Sequence, residues 1–394
     1  MHRAAGRGRS ERRELLLRLF AAVTFLIFAQ AFMVAPLIPR LASLFAVSAQ
    51  TIALSVPAYL IPYGAATLVY GPLSDRIGRW PVLLTSLGAF VVLTAATAWA
   101  PTVAAFIGIR IATGLGAAGV VPVALALAGD LFPYEERGRA LGWLFGAMAG
   151  GMAVGSTAGV LLEPFVGWRG LFLGVAALAA ITGVPLVLRR EAEPPSRPIG
   201  RGPVHAYFAL LHLPRARRTY LYVLLNAVLH SGIYTWLGVY FAGEYSLHNV
   251  GIGLALLGYG VPGFAFGPSI GRLADRWGRG YMIPVGLCVA ALSVMGLAAR
   301  PPLLVAALSV ATLSLGYDLV QPALAAIVTD LGPRRGLAMG FNVFTLFTGF
   351  GLGSLILGAL LRLRLTTAFG LFALGALVAA VAALRLFQGE MSRG

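Results

Sequence analysis

Long apolar runs, cut at short intervals by charges or by Pro/Gly steps, set the rhythm of this chain. A helix that crosses the hydrocarbon of a bilayer needs about 20 mostly apolar residues. Cutting at the charges and the Pro/Gly punctuation yields twelve such runs: 18–39, 50–71, 81–99, 102–128, 139–162, 168–188, 218–243, 249–271, 281–299, 302–329, 337–360 and 366–387. The narrowest separations fall at Ala100-Pro101 and Arg300-Pro301, where a short turn must divide two runs. The first run follows a cluster of arginines, as a secretion signal does. It is too long for a signal's apolar core and ends in Pro36-Leu-Ile-Pro39 without a small-x-small cleavage pattern, so it reads as the first spanning helix.

Charge sharpens this picture. Of 394 residues 59% are hydrophobic and 11% charged, with mean hydropathy +0.85, whereas a soluble domain carries about 25% charged residues. All 30 basic residues are arginine. With the N-terminus placed inside, 24 arginines fall on inside segments or the inner ends of runs and 5 on outside segments or outer ends, and Arg110 alone lies deep within a run. That bias predicts both termini in the cytoplasm. The net charge of +16 collects at the ends of apolar runs rather than on one face, which argues against a nucleic-acid partner. A single cysteine, Cys288, excludes an internal disulfide and a multi-cysteine metal site. The five histidines lack ligand spacing, and no phosphate loop, nucleophile elbow or zinc-protease motif is present. Neither an enzyme nor a cofactor is predicted.

The chain also repeats itself. Gly71-Pro-Leu-Ser-Asp75-Arg76-Ile-Gly78-Arg79 recurs 200 residues later as Gly271-Arg-Leu-Ala-Asp275-Arg276-Trp-Gly278-Arg279. At the same offset Pro101 matches Pro301, Gly116 Gly316, Pro122 Pro322 and Asp130 Asp330, and after a short gap the stretch from Arg137, which holds Arg139, resembles that from Arg335. Six runs per half, each half starting inside, predict parallel repeats about an axis along the membrane normal. The expected fold is all-α and integral to the membrane: twelve transmembrane helices in two six-helix bundles, 1–188 and 218–394, joined by a cytoplasmic linker at 189–217.

With these motifs the chain resembles the major facilitator superfamily, and most closely its twelve-span drug:proton antiporter branch. The family's loop pattern after span two, G-x-x-x-D-R-x-G-R-[RK], is met by Gly71, Asp75, Arg76, Gly78 and Arg79, with Trp80 in the last place. The fourth-span pattern R-x-x-x-G-x-G is met by Arg110, Gly114 and Gly116. The fifth-span antiport pattern is met in part, by Gly151, Gly155 and Gly159, with Ser156 in place of its proline and Val160 in place of its last glycine. The resemblance implies alternating access about a midplane site lined by spans one, four, seven and ten. It also implies a cytoplasmic gate in which Asp75, Arg76 and Arg79 meet Asp130, with Arg139 and the second copy (Gly271, Asp275, Arg276, Gly278, Arg279) alongside.

The intramembrane polar residues are the candidate chemistry. Asp318, in the middle of span ten, is the acid deepest in a run, which is what a carrier that loads and releases a proton requires; the alternative is a hydrogen-bonding link to Tyr317 or Gln321. A charge at the depth of Arg110 costs a few kcal/mol, so Arg110 either serves coupling or substrate, or is tied to backbone carbonyls. His230 falls at the depth of Asp318 and is a candidate to share its proton; Gln30 is its counterpart 200 residues earlier. Asn226, Gln321 and the aromatics Tyr59, Tyr63, Tyr234, Trp236 and Tyr259 are candidate cavity residues, suited to flat lipophilic cations. The glycine run from Gly146 to Gly159 is expected to serve close helix packing. The function predicted is proton-driven export of small amphipathic compounds by a monomer in a bacterial inner membrane. The alternatives are a proton symporter or uniporter for a sugar or organic acid, and a membrane sensor or assembly partner that does not transport.

Overall fold

The computed structural model describes residues 2–132, 134–189, 203–262, 266, 270, 273, 277–331 and 335–391, and the regular structure among them is helical throughout. The helices of the first half are α1 (His2–Phe32), α2 (Ile38–Phe45), α3 (Ala49–Ala53), α4 (Pro57–Ile77), α5 (Arg79–Thr97), α6 (Val103–Ala117), α7 (Val120–Leu131) and α8 (Tyr134–Leu188). Those of the second are α9 (Pro203–Leu211), α10 (Pro214–Tyr245), α11 (Asn249–Ala255), α12 (Arg279–Ala298), α13 (Leu303–Thr329), α14 (Arg335–Leu360), α15 (Leu365–Leu386) and α16 (Gln388–Met391).

Among the described residues, 10 stretches are long and apolar enough to cross a membrane. Two of the expected runs, 139–162 and 168–188, form one stretch of 50 residues, Arg139–Leu188. A straight helix of that length would extend about 75 Å, more than twice the ~30 Å of hydrocarbon. It is interrupted at Gly167, whose φ of 69° and ψ of 162° leave the helical region, a conformation open to a residue without Cβ. The eighth expected run, 249–271, begins with α11 and passes into positions outside the described residues. Much of the predicted linker, 190–202, lies outside them too, whereas its end forms α9. That helix is docked rather than free. Leu210 joins Ala216, Tyr220, Val328, Leu331 and Ala338 in a small core, and the Tyr207 ring meets Phe341 at 5.7 Å.

Close approach of backbones builds the packing, because lipid supplies no hydrophobic drive between helices. A Cβ on Gly155 of α8 would sit 2.3 Å from the Ala29 carbonyl of α1, and one on Gly353 of α14 would sit 2.2 Å from the Val228 carbonyl of α10. The glycine run therefore acts as the sequence led us to expect at Gly151, Gly155 and Gly159, while at Gly146 nothing lies within 4 Å.

Candidate functional site

Prolines decide where the spanning helices open. Pro36 has no N–H to offer the Phe32 carbonyl four residues back, and α1 ends at Phe32. Before Pro57 the chain turns over Leu54–Val56, so the Tyr59 amide bonds Val56 and the Ser55 carbonyl is left over. Arg110 of α6 takes the Ser55 carbonyl and two acceptors near the end of α1. Its Nε donates to Ser55 O (3.2 Å), Nη1 to Gln30 Oε1 (2.9 Å) and Nη2 to Ala31 O (3.5 Å), and its guanidinium lies 4.2 Å over the Tyr59 ring. Arg110 and Gln30 are wholly buried. Of the two roles open to Arg110, the geometry matches the tie to backbone carbonyls.

The carbonyl that Pro36 releases at Phe32 accepts from the Tyr234 hydroxyl of α10 at 2.8 Å, a bond between the two halves of the chain. Beside it a Cβ on Gly238 would come within 2.9 Å of the Pro36 carbonyl. From this point a continuous aromatic belt runs through the middle of the molecule. Tyr59 meets Tyr63 (5.8 Å), Tyr63 stacks on Phe347 (4.4 Å), and Phe347 and Phe32 both meet Phe350 (5.9 Å each). Phe32 meets Tyr234 (5.7 Å), Tyr234 stacks on Tyr259 (4.3 Å), and His230 stacks on Tyr317 (4.2 Å). Beyond the belt, towards the end that holds Arg40, Arg169 and Arg300, an open cavity of about 690 Å³ is walled by Pro39, Arg40, Pro164, Leu247 and His248.

At one end of the belt lies the polar cluster of the second half. His230 Nε2 and the Tyr259 hydroxyl are 2.5 Å apart. The Ser314 hydroxyl accepts from the Gly260 amide (3.0 Å) and donates to Asp318 Oδ2 (3.3 Å). Asn226 Nδ2 points to Gln321 Oε1 at 3.5 Å. The structure thus brings together Asp318, His230, Tyr234, Tyr259, Asn226 and Gln321, and keeps Arg110, Gln30 and Tyr59 in a second group at the far end of the belt. Trp236 joins neither. Its Nε1 donates to Ser354 O (3.2 Å) and its ring packs on Gly358 of α14, which makes it a helix-packing residue.

At the opposite, arginine-rich end the sequence repeat becomes a repeated geometry. Arg79 pairs with Asp130, donates to Ala126 O (3.1 Å) and lies 3.9 Å from Asp75. Arg279 pairs with Asp330 (2.8 Å) and approaches Ala326 O (3.5 Å). Gly78 and Gly278, at φ 100° and 87°, start the helices that carry these arginines. Arg139 pairs with Glu14 of α1, Arg76 is exposed, and a Cβ on Gly71 would meet nothing within 4 Å. Gly271, Asp275 and Arg276 lie outside the described residues.

Sequence reasoning missed Phe28, Phe32, Phe347 and Phe350, which complete the belt, and Ser314, which positions Asp318. The phenylalanines carry no polar signal within apolar runs; only their spacing of three or four residues, at Phe28/Phe32 and Phe347/Phe350, marks one helix face.

Comparison with known proteins agrees with this architecture. The profile of the Major Facilitator Superfamily matches residues 20–334 and 244–393. The MFS-type transporter YwfA of Bacillus subtilis (strain 168) is 29% identical over 383 residues, covering 93% of this chain and 90% of that protein. A chloramphenicol resistance protein of Streptomyces lividans is 30% identical over 254 residues, 62% of this chain and 63% of its own. Among solved structures, a bacterial homologue of the human lysosomal transporter Spinster, inward-facing and unoccupied, superposes with a TM-score of 0.75 at 17% identity, over 97% of this chain and 99% of that one. A doubled charged loop, broken spanning helices around a buried polar belt, and a family profile running the length of the chain converge: this protein belongs to the major facilitator superfamily and is a multi-pass membrane transporter, not an enzyme.

Proposed function

We propose that the protein exports small amphipathic compounds in exchange for protons by alternating access between two six-helix bundles, residues 1–188 and 218–394. Both termini face the cytoplasm of a bacterial inner membrane, so the arginine-rich end is the inner end. The observation that carries this reading is the cluster of Asp318, Tyr259 and His230. The Tyr259 hydroxyl is bonded to the His230 imidazole at 2.5 Å, and the next residue, Gly260, is bonded through its amide to Ser314, which holds Asp318, so two titratable groups are placed in one polar cluster between which a proton can be shared. Asp318 takes up the proton when the outer side is open and gives it up when the inner side is open. Arg110, occupied by neutral oxygens of α1 and the α3–α4 turn, holds the broken helices instead.

The substrate class follows from the belt. Aromatic faces next to a carboxylate favour flat, apolar or cationic molecules. The Tyr59 and Tyr63 hydroxyls and the Gln30 amide nitrogen are buried without a hydrogen-bond partner, and a buried polar atom left in that condition is a handle for a ligand's polar group. The relatives that confer chloramphenicol resistance are consistent with such a molecule.

The test is proton flux in proteoliposomes under an imposed pH gradient, with tetraphenylphosphonium, chloramphenicol, a sugar and an organic acid as probes. Dissipation of the gradient by the cation or by chloramphenicol, lost in Asp318→Asn while the variant remains folded, is the expected result. Full coupled flux in Asp318→Asn would overturn the assignment, and gradient-independent movement of the sugar or acid would make the protein a metabolite carrier.

A further inference from the structure

The inner end of α10 is held by a carboxylate outside the sites described above. Glu390 belongs to α16, the short turn after the last span, and is 7% exposed although it lies at the arginine-rich end. It accepts a two-pronged fork from Arg215, Nε at 2.6 Å and Nη2 at 2.8 Å, and a third bond from Arg218 Nη2 at 2.6 Å. Arg218 also donates to the Leu386 carbonyl and lies 4.9 Å over the Phe387 ring. The remaining prong of Arg215 reaches the Asp330 main-chain oxygen at 3.4 Å, while the Asp330 carboxylate binds Arg279. Glu390 thereby occupies two guanidinium groups beside Asp330 and leaves that carboxylate to Arg279. From the other side α16 is wedged against the start of α12, where a Cβ on Gly280 would stand 2.7 to 2.8 Å from atoms of Met391 and Phe387.

The same helix carries the outer seal. Tyr234 and Gly238, which meet Phe32 and Pro36, lie on α10 with no break between them and Arg215. At 1.5 Å per residue the lever from Arg215 to Tyr234 is about 30 Å, and a tilt of about 5° moves its outer end by about 2.5 Å. That displacement is enough to lose the bond from Tyr234 to Phe32. We propose that Glu390 is a positioning residue for transport. Through Arg215 and Arg218 it fixes the angle of α10, and so sets how firmly the outer side closes. This rests on the alternating-access reading.

The test uses a reporter in the seal itself. Ser156 of α8 is fully buried beside the Tyr234 hydroxyl, so Ser156→Cys in a Cys288→Ser chain reacts with a membrane-impermeant methanethiosulfonate outside intact cells only when the outer side opens. Glu390→Gln is expected to raise the labelling rate about fivefold, since a loosened α10 weakens the Tyr234–Phe32 bond between the halves, and loss of a contact made only in the closed state shifts the equilibrium towards the open one. Gly280→Ala, which displaces α16 without touching a charge, should act in the same direction, and Glu390→Asp should restore most of the parental rate. Should Glu390→Gln not fold, Gly280→Ala decides. Labelling at the parental rate in the folded variants, whatever happens to their melting temperature, overturns the proposal. A parent chain that is never labelled, with or without a pH gradient, removes the alternating-access reading and this inference with it.

Discussion

If Arg110 is a staple for broken helices, its conservative replacement should be the more damaging one. Arg110→Met removes the cation and leaves the Ser55 carbonyl and Gln30 Oε1 without their donor; the contact to Ala31 O, at 3.5 Å, contributes little. Each buried acceptor so stranded costs about 1–3 kcal/mol, for a loss of about 2–5 kcal/mol after Gln30 reorients. Against this, the variant no longer buries a charge, which recovers about 2.5–3.5 kcal/mol on the insertion scale. The net effect lies between a gain of about 1.5 and a loss of about 2.5 kcal/mol, centred near zero. Arg110→Lys keeps the burial cost but offers one compact ammonium where a planar fork served separate acceptors. It loses at least one bond and gains nothing back. Thermal or detergent-induced unfolding, followed by tryptophan fluorescence, should place Arg110→Met close to the parent and Arg110→Lys below both, by about 1–2 kcal/mol. Arg110→Lys as stable as Arg110→Met would refute the reasoning. So would an Arg110→Met variant of parental stability whose proton-driven flux is gone, since Arg110 would then belong to the coupling site.

Tyr234→Phe should leave the Phe32 carbonyl unpaired in the closed state alone, a bias of about 1 kcal/mol or about fivefold in outside labelling of the Ser156→Cys reporter; unchanged labelling would take that bond out of the seal. Gly155→Ala, forced against the Ala29 backbone, should lose about 2 kcal/mol in unfolding, while Gly146→Ala, with open space around it, should gain about 0.5 kcal/mol from helix propensity; equal melting of the two would contradict the packing of α1 on α8. Asp130→Asn removes a partner that is 62% exposed, so stability should fall by less than about 1 kcal/mol while the transport rate falls several-fold. An unchanged rate would deny Asp130 a part in the gate.

Apolar run length and the repeat made the spans legible, because both are one-dimensional signals. The helix interruptions were half legible. Pro36 and Pro57 announce a missing donor, but nothing in the sequence says that Tyr234 takes the Phe32 carbonyl, or that Arg110, some 50 residues beyond Pro57, takes those of Ala31 and Ser55. Gly167 was legible only as a gap between two runs, whereas in the structure helix continues on both sides of it. The functional cluster divided along the same line. Asp318 and His230 stand out because polar residues in lipid are rare, yet their link runs through Tyr259 and Ser314, residues that look like ordinary helix-packing side chains until the chain folds. Trp236 shows the reverse error, an aromatic of the right depth on a face turned towards α14.

Duplication also explains where the symmetry stops. Arg79 with Asp130 and Ala126, and Arg279 with Asp330 and Ala326, keep the same geometry at an offset of 200 residues, as both halves must brace their inner loops. At the midplane the same offset pairs Gln30 with His230, Arg110 with Val310 and Ala118 with Asp318. The first half spends its buried charge on structure: a permanent cation fixed among neutral oxygens, which cannot release a proton in any state of the cycle. The second half places titratable groups, a carboxyl group and an imidazole, in the equivalent layer. Two identical halves would carry the same titratable groups at the midplane, so in the proposed exchange it is the divergence at these three positions that would confine proton loading to one half of a doubled scaffold and leave the other to hold the broken helices.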